Sequence, residues 1–383
     1  MRAYLDHNAT SPLRPQARAA MLAALETVGN PSSVHAEGRD ARALIEAARA
    51  AIAGGIGTKP RNLVFTSGAT EAANLILTPF LQRSQTEPPF DRLLLSASEH
   101  PAVLLGHRFA PDRVDPVALT AEGALSLDAL SCLLQRNKGQ RALLALQAAN
   151  NETGALQPLR AAAELIHAAG GLVICDATQT MGRVETTFAA TGADALFFSS
   201  HKLGGPAGAG ALAFADESLH IREALLRGGG QESGRRAGTE NVAAIAGFAA
   251  AFAAAKATMD EEAARLRDLR GRLEEKVEES WPEAVFLAAS GPRLPNTSAF
   301  QTPGAKAHTL LMALDMEGIA LSTGSACSSG KVRPSHVLAA MGLEETEALR
   351  ASLGWCTTAE EVELFGIAFA RIAKRIRARR TTA

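Results

Sequence analysis

No two of the four cysteines in the 383-residue sequence are spaced as C-x-x-C, and Cys132, Cys175, Cys327 and Cys356 show no His-rich spacing of a zinc site. So few scattered thiols also argue against a disulfide framework. An excess of charge of one sign is missing as well. Lysine and arginine number 39 against 40 acidic residues, a formal net charge of -1, and nothing points to a polyanionic partner. The basic last turn, "RIAKRIRARR", reads as a solvated helix end rather than a nucleic-acid surface. Long apolar runs are absent too: the longest mostly apolar run without charge, Val242 to Ala255, is too short to span a bilayer and reads as a buried Ala-rich helix. The N-terminal "MRAYLDHNAT" lacks a charged start leading into an apolar stretch, so it does not read as a signal peptide. These absences predict a cytoplasmic chain with no membrane or nucleic-acid partner.

What is present is enough apolar material, 47% of residues, to fold a chain of about two domains. The segments "PQARAAMLAALETV" and "GRDARALIEAARAAIAGG" have helical periodicity. After them "NLVFTS", "LLLSA", "ALLALQ", "GLVICDA", "DALFFSS" and "GALAF" are short apolar runs ending in turn-formers, several separated by helices such as "LRAAAELIHAAG". This alternation predicts an α/β fold with a mostly parallel sheet and ligands at the carboxyl ends of its strands. After Ala255 a charged helix, "DEEAARLRDLRGRLEEKVEES", leads to a smaller α+β region with strands "AVFLA", "TSAFQ" and "IALST" and a closing helix from Thr358. The expected division is a large domain over 13–255 and a small one from 256–383, with residues 1–12 packing back onto it.

Three pieces at strand ends carry chemistry. "VFTSGATEAANL" is a strand, a turn and a helix whose free N–H groups, with the Thr70 hydroxyl, suit a phosphate, although Ser67 and Thr70 fit helix caps equally well. "VICDATQT" places Asp176 at the sheet edge, where a carboxylate needs a cation, an arginine by the simpler reading. "ALFFSSHKLGGPAGAGAL" delivers Ser199, Ser200, His201 and Lys202 into a Gly-rich loop. A lysine in such a crevice loses its proton by desolvation and becomes a carbonyl-seeking amine. A nucleotide-binding lysine is the rival reading, but the Walker pattern G-x-x-x-x-G-K-[ST] does not occur. A phosphate anchor, a buried carboxylate and a lysine 26 residues after it together suit pyridoxal 5'-phosphate.

Cysteine usage adds a fourth piece. Cys132, beside leucines at helical spacing in "LDALSCLLQR", and Cys175, inside a strand, are expected to be buried, and Cys356 at a strand end in "GWCTT" reads most simply as structural. Cys327 in "LSTGSACSSGK" differs, being a thiol mounted in a Gly/Ser loop.

The sequence resembles the cysteine desulfurases of the NifS and IscS type, within the class V aminotransferase group of fold-type I enzymes. The resemblance is carried by "YLDHNAT", "GNPSSVH", "FTSGATEAAN", "SEHPAV", "NNETG", "DATQTMG", "SSHKLGGPAGAGAL", "RRAGTEN", "STGSACSSG" and "LRASLGW", in order along the chain. It implies that Lys202 carries the cofactor as a Schiff base, that Asp176 pairs with the ring nitrogen, and that His100 stacks on the ring and moves protons. Gln179 would bond the ring O3' oxygen. Ala69 would touch the cofactor, and Thr70, Ser199 and His201 would hold the phosphate, with Thr239 reaching in from the other subunit of a homodimer. Asn151 would touch cofactor and substrate, and with Arg350 would hold the carboxylate of L-cysteine. Cys327 would accept the sulfur as a persulfide and pass it to an acceptor protein such as an iron-sulfur scaffold. No metal site is implied beyond an iron-sulfur contact through Cys327.

Departures occur at Ser200, often Gly in the family, and Ala207, often Lys. The sequence ends close to its last helix, where members serving a scaffold usually continue into a docking tail, so the acceptor stays open. Selenocysteine lyase, an aminotransferase or a racemase-like relative on the same scaffold, and a non-catalytic sulfur carrier, are the alternatives.

Overall fold

The structure is a computed structural model that describes residues 2–324, 335–344 and 346–381. Its central sheet has seven strands, in the order Leu63–Thr66, Gly210–Phe214, Ala195–Ser199, Leu172–Asp176, Ala142–Gln147, Arg92–Ser96 and Val114–Val117. Within this sheet only Gly210–Phe214 runs against the other strands. Successive residues of each strand face opposite sides. Leu143 and Ala145 therefore join one apolar layer with Val64, Ile174 and Phe197, while Leu144 and Leu146 join another with Phe65, Cys175 and Phe198. The helix Ala69–Ile76 covers the first layer with Leu75 and Ile76, and the helices Ala36–Ile56 and Val242–Ala257 cover the second with Ile52, Phe248 and Phe252. A sheet buried on both faces needs continuous apolar strands, and that is why those runs are legible in the sequence.

The strand Val114–Val117 is not anticipated, because "VDPV" offers neither an apolar run nor clean alternation. It is an edge strand, where proline is tolerated, and Asp115 is held by Arg92 at 2.7 Å.

The chain turns by 72° between the helices Val242–Ala257 and Met259–Ser280. Met259–Ser280 buries Leu266, Leu269, Leu273 and Val277, spaced three or four apart, against Val362, Phe365 and Phe369 of the helix Ala359–Thr381. A second, antiparallel sheet has the order Val285–Phe286, Thr297–Gln301, Leu349–Ser352, Ser322–Thr323. The run "IALST" is split between two partners: Ile319–Ala320 pairs in parallel with Ala3–Tyr4, and Ser322–Thr323 joins the second sheet. Among the described residues no single helix is long and apolar enough to cross a membrane.

The cysteines require one correction. The helix Leu127–Arg136 turns Leu130 inward and leaves Cys132 exposed, so Cys132 is not the buried residue its leucine neighbours suggest. Cys175 is fully buried, and burial pushes its thiol well above the usual range. Cys356 lies half-buried in a turn after Leu349–Ser352. Cys327 lies outside the described residues.

Candidate active site

The carboxyl ends of five strands and three segments from elsewhere surround a cavity of about 530 Å³. Ala69, Thr70, His100, Asn151, Asp176, Gln179, Ser199, His201, Lys202 and Arg350 all line it, with Asn8 and Gly324. Thr239 is exposed and does not line this cavity of its own chain.

Lys202 ends a single 3-10 turn, Ser200–Lys202, that follows the strand Ala195–Ser199. Its Nζ donates to the carbonyls of Asn8 at 2.6 Å and Ala9 at 2.7 Å. Burial lowers its pKa to about 8, and the charges of Arg183 and Arg350 act in the same direction. The amine is thus partly neutral near physiological pH.

Asp176 ends the strand Leu172–Asp176, and its Oδ1 accepts the Thr178 N–H at 2.9 Å. The arginine that the simpler reading expects is not there: among the described residues no ion pair reaches Asp176. Beneath it lies Glu99, fully buried, with Oε1 accepting the Gln147 N–H at 2.7 Å and Oε2 without a partner. Burial first, and the Asp176 charge second, push Glu99 well above the carboxylate range. Burial raises Asp176 as well, opposed by its bonds to Thr178 and by the charges of His100 and Lys202, so Glu99, with no such cations beside it, is the more strongly raised of the two carboxyls.

His100 caps a turn and lines the cavity. Its Nδ1 accepts the Ala102 N–H at 3.1 Å and caps the turn Pro101–Leu104, while its exposed ring surface opens into the cavity. The surrounding protein lowers its pKa, with Lys202 and His336 adding to the effect and Asp176 opposing it. A neutral ring that accepts at Nδ1 carries its proton on Nε2.

At the anion end, Gly68 is the N-cap of Ala69–Ile76 and no side chain caps the helix. Neither Ser67 nor Thr70 is spent as a cap, so N–H groups of the first turn remain for a ligand. Glu71 braces the turn: it accepts the Ser67 N–H at 2.8 Å and pairs with Arg236 at 2.9 Å. A Cβ at Gly210 would stand 2.6 Å from Gly68 Cα, so the turn seats on the sheet only because Gly210 lacks a side chain. His201 bonds Thr10 Oγ1 at 3.1 Å, and burial followed by the Lys202 charge lowers it to about 4, so it acts as a neutral ring.

At the far end Arg350 is already engaged. Nη2 donates to Asp6 at 2.7 Å and Nη1 to the Asn151 carbonyl at 2.9 Å, while the buried Nε has no partner. The sequence reading, which gave Arg350 to the substrate carboxylate, missed Asp6. It also missed Asn8 and Arg183. Asn8 receives Lys202 and Gln179 at its carbonyl and Arg183 at its Oδ1, and Arg183 donates to Gln179 Oε1 at 2.6 Å. The signal was present, since Asp6 and Asn8 stand in "YLDHNAT" and Arg183 ends "DATQTMGR", but that first segment reads as packing alone.

A wider cavity, about 730 Å³, surrounds Arg49, Glu232 and Arg235. There Arg49 holds Glu232 at 2.7 and 2.8 Å.

An unpaired, half-buried carboxylate, a lysine of lowered pKa and an uncapped helix start at the ends of a mostly parallel sheet fit a cationic ring nitrogen, an aldehyde and a phosphate. That donor set on this fold defines a fold-type I pyridoxal phosphate-dependent enzyme. The aminotransferase class-V family model matches residues 3–365. A cysteine desulfurase of Frankia is 42% identical, over 98% of this chain and 92% of that protein. An IscS-like cysteine desulfurase of Mycobacterium tuberculosis is 39% identical, over 94% and 93%. The solved structure of a NifS-like protein from Rickettsia africae superposes with a TM-score of 0.87 at 31% identity, covering 98% of this chain and all of that one. The chain belongs to the class-V aminotransferase family.

Proposed function

We propose that the protein is a cysteine desulfurase that converts L-cysteine to L-alanine and retains the sulfur as a persulfide on Cys327. The observation that carries this reading is the convergence, on one cavity, of the Lys202 amine with its pKa of about 8, unpaired Asp176 and Arg350. Lys202 Nζ would hold the cofactor's aldehyde carbon, Asp176 its ring nitrogen, Gln179 its phenolic oxygen, and Ala69, Thr70, Ser199 and His201 its phosphate, with Thr239 contributed by a second subunit. When bound, the cofactor supplies an electron sink for the substrate's Cα.

This chain's residues do the rest. Arg350 and Asn151 hold the substrate carboxylate and aim the Cα–H at Lys202. The Lys202 amine, once free, takes that proton, and the Nε2–H of His100 is a second proton source beside the substrate. Cys327 Sγ forms a bond to the substrate Sγ while the substrate's Cβ–Sγ bond breaks, its electron pair staying on carbon. Net, cysteine and the Cys327 thiol become alanine and a Cys327 persulfide, and the thiol proton ends on the alanine methyl group.

The same reading divides the chain into a cofactor domain, 13–255, and a small domain of 1–12 with 256–383, in a cytoplasmic homodimer that passes sulfur to an acceptor protein such as an iron-sulfur scaffold. The separate apolar cluster around Trp281, Phe300 and Phe369 and the bend before Met259 support the division. Incubation of the holoenzyme with L-cysteine tests the function: alanine and protein-bound sulfur should appear in equal amounts in the first turnover. A keto acid in place of alanine would refute it.

A further inference from the structure

Glu152 follows Asn151 in "NNETG" and is 6% exposed. Asn150 shapes the turn, its Oδ1 accepting the N–H groups of Glu152 and Thr153 at 2.9 Å each. The carboxylate so placed meets two residues distant in sequence. Ser335 Oγ donates to Glu152 Oε2 at 2.6 Å. A Cβ built on Gly324 would stand 2.1 Å from the same oxygen and 3.5 Å from Ser335 Cβ. Gly324 and Ser335 therefore converge on one carboxylate oxygen, although residues 325–334 lie between them in sequence.

Ser335 is satisfied on both sides, since its Oγ also accepts the Leu338 N–H at 3.2 Å and caps the helix His336–Ala340. The next residue makes a second tie: His336 Nε2 donates to the Glu99 carbonyl at 2.8 Å. The Ser335–His336 pair is thus fastened to the two strand-end turns that carry Asn151 and His100. A buried carboxylate is costly unless it is well bonded. Here burial raises the pKa of Glu152, while Ser335, His336 and Arg350 oppose the rise.

We infer that Glu152 is a positioning residue for sulfur transfer, pinning Gly324 and Ser335 together at the wall of the site and so fixing both ends of the segment that contains Cys327. The inference rests on the desulfurase reading. Gly324 has no room for a side chain unless Glu152 withdraws, and withdrawal breaks the bond to Ser335.

The test compares holoenzyme variants Glu152→Gln, Glu152→Ala and Ser335→Ala by three readouts: the visible cofactor absorption, its change on titration with L-cysteine, and the single-turnover rate of protein-bound sulfur. The first two should stay as in the wild type. The third should fall about tenfold or more in both alanine variants, the scale of a misplaced reacting group. Glu152→Gln, which keeps an oxygen for Ser335 to donate to, should recover most of the rate, and the double alanine variant should be no slower than either single one. Undiminished sulfur transfer in both alanine variants overturns the assignment. So does loss of the cofactor band in every variant, which marks a merely structural residue, and Ser335→Ala, lacking one oxygen, serves if Glu152→Ala does not fold. Wild-type protein that yields no alanine overturns the desulfurase reading itself and this inference with it.

Discussion

Lys202 Nζ stands 2.6 Å from the carbonyl oxygen of Asn8, a residue 194 positions earlier in the chain. The contact joins the Gly-rich loop of the large sheet to the N-terminal segment, whose Ala3–Tyr4 pairs with Ile319–Ala320. The Asn8 side chain in turn donates to Thr297 Oγ1 at 2.9 Å and the Asn151 carbonyl at 3.2 Å, so one residue registers the amine against both halves of the structure. Its burial, 1% exposed, protects those bonds from water.

Replacing Lys202 by alanine should abolish the visible absorbance of the bound cofactor and all turnover while leaving the fold intact, because the anion turn at Gly68 makes no use of that amine. Absorption and circular dichroism together check this. A variant that kept the long-wavelength band would move the covalent link elsewhere.

The Arg183 charge is the largest charge effect holding Lys202 down, after burial. At pH 7.5 a lysine of pKa about 8 is roughly a quarter neutral, against about a thousandth at the ordinary value. The neutral amine rises as pH climbs through about 8, so uptake of cofactor by apoprotein should rise with pH around that point. Arg183→Gln removes a like charge, lets the ammonium persist, and should move that midpoint to higher pH by about one unit. Arg183→Lys, which keeps the charge, should move it far less. A midpoint unchanged in Arg183→Gln would mean that the Arg183 charge does not set the amine.

Much of this was legible in the sequence because buried strands are written as apolar runs and each run here delivers a polar residue at its end. Asp176 after "VIC" and Lys202 after "ALFFSSH" are placed by that rule alone. What escaped was of two kinds. Val114–Val117 is an edge strand kept by ion pairs rather than apolar character, and the two-residue strands Ala3–Tyr4 and Ser322–Thr323 are too short for a pattern, the first pairing with Ile319–Ala320 at the other end of the chain and the second with Leu349–Ser352. Asp6, Asn8, Arg183 and Glu152 escaped for a related reason: their roles come from distant contacts that leave no local periodicity. Cys132 was misjudged because two flanking leucines do not reveal which side of a helix faces the core.

Arg350 offers a second measurable relationship. With Nη2 on Asp6 and Nη1 on a carbonyl, Arg350 lines the cavity while its Nε is buried and unpartnered. Arg350→Ala should raise the half-saturating cysteine concentration by about tenfold or more while sparing the cofactor band, the cost of losing a charged hydrogen-bond partner. Asp6→Asn keeps a hydrogen-bond acceptor but removes the competing charge, and should lower that concentration instead. Steady-state kinetics on both variants decide, and an unchanged half-saturation in Arg350→Ala would remove it from substrate binding.

The protein has two rival thiols, and their substitution should separate them. Cys327 stands in "STGSACSSG", among small residues, and Lys331 follows four positions on. Cys132 is exposed on the helix Leu127–Arg136, which contributes nothing to the cavity. Cys175 is excluded by burial and its raised pKa. Cys327→Ser should still take up cofactor and change its absorption on adding cysteine, because those events use Lys202, Asp176 and Arg350. It should then stop, with alanine and protein-bound sulfur both at background. Cys132→Ser should match the wild type in every readout. Full turnover in Cys327→Ser would sink the assignment, and its loss in Cys132→Ser would transfer the role to that helix.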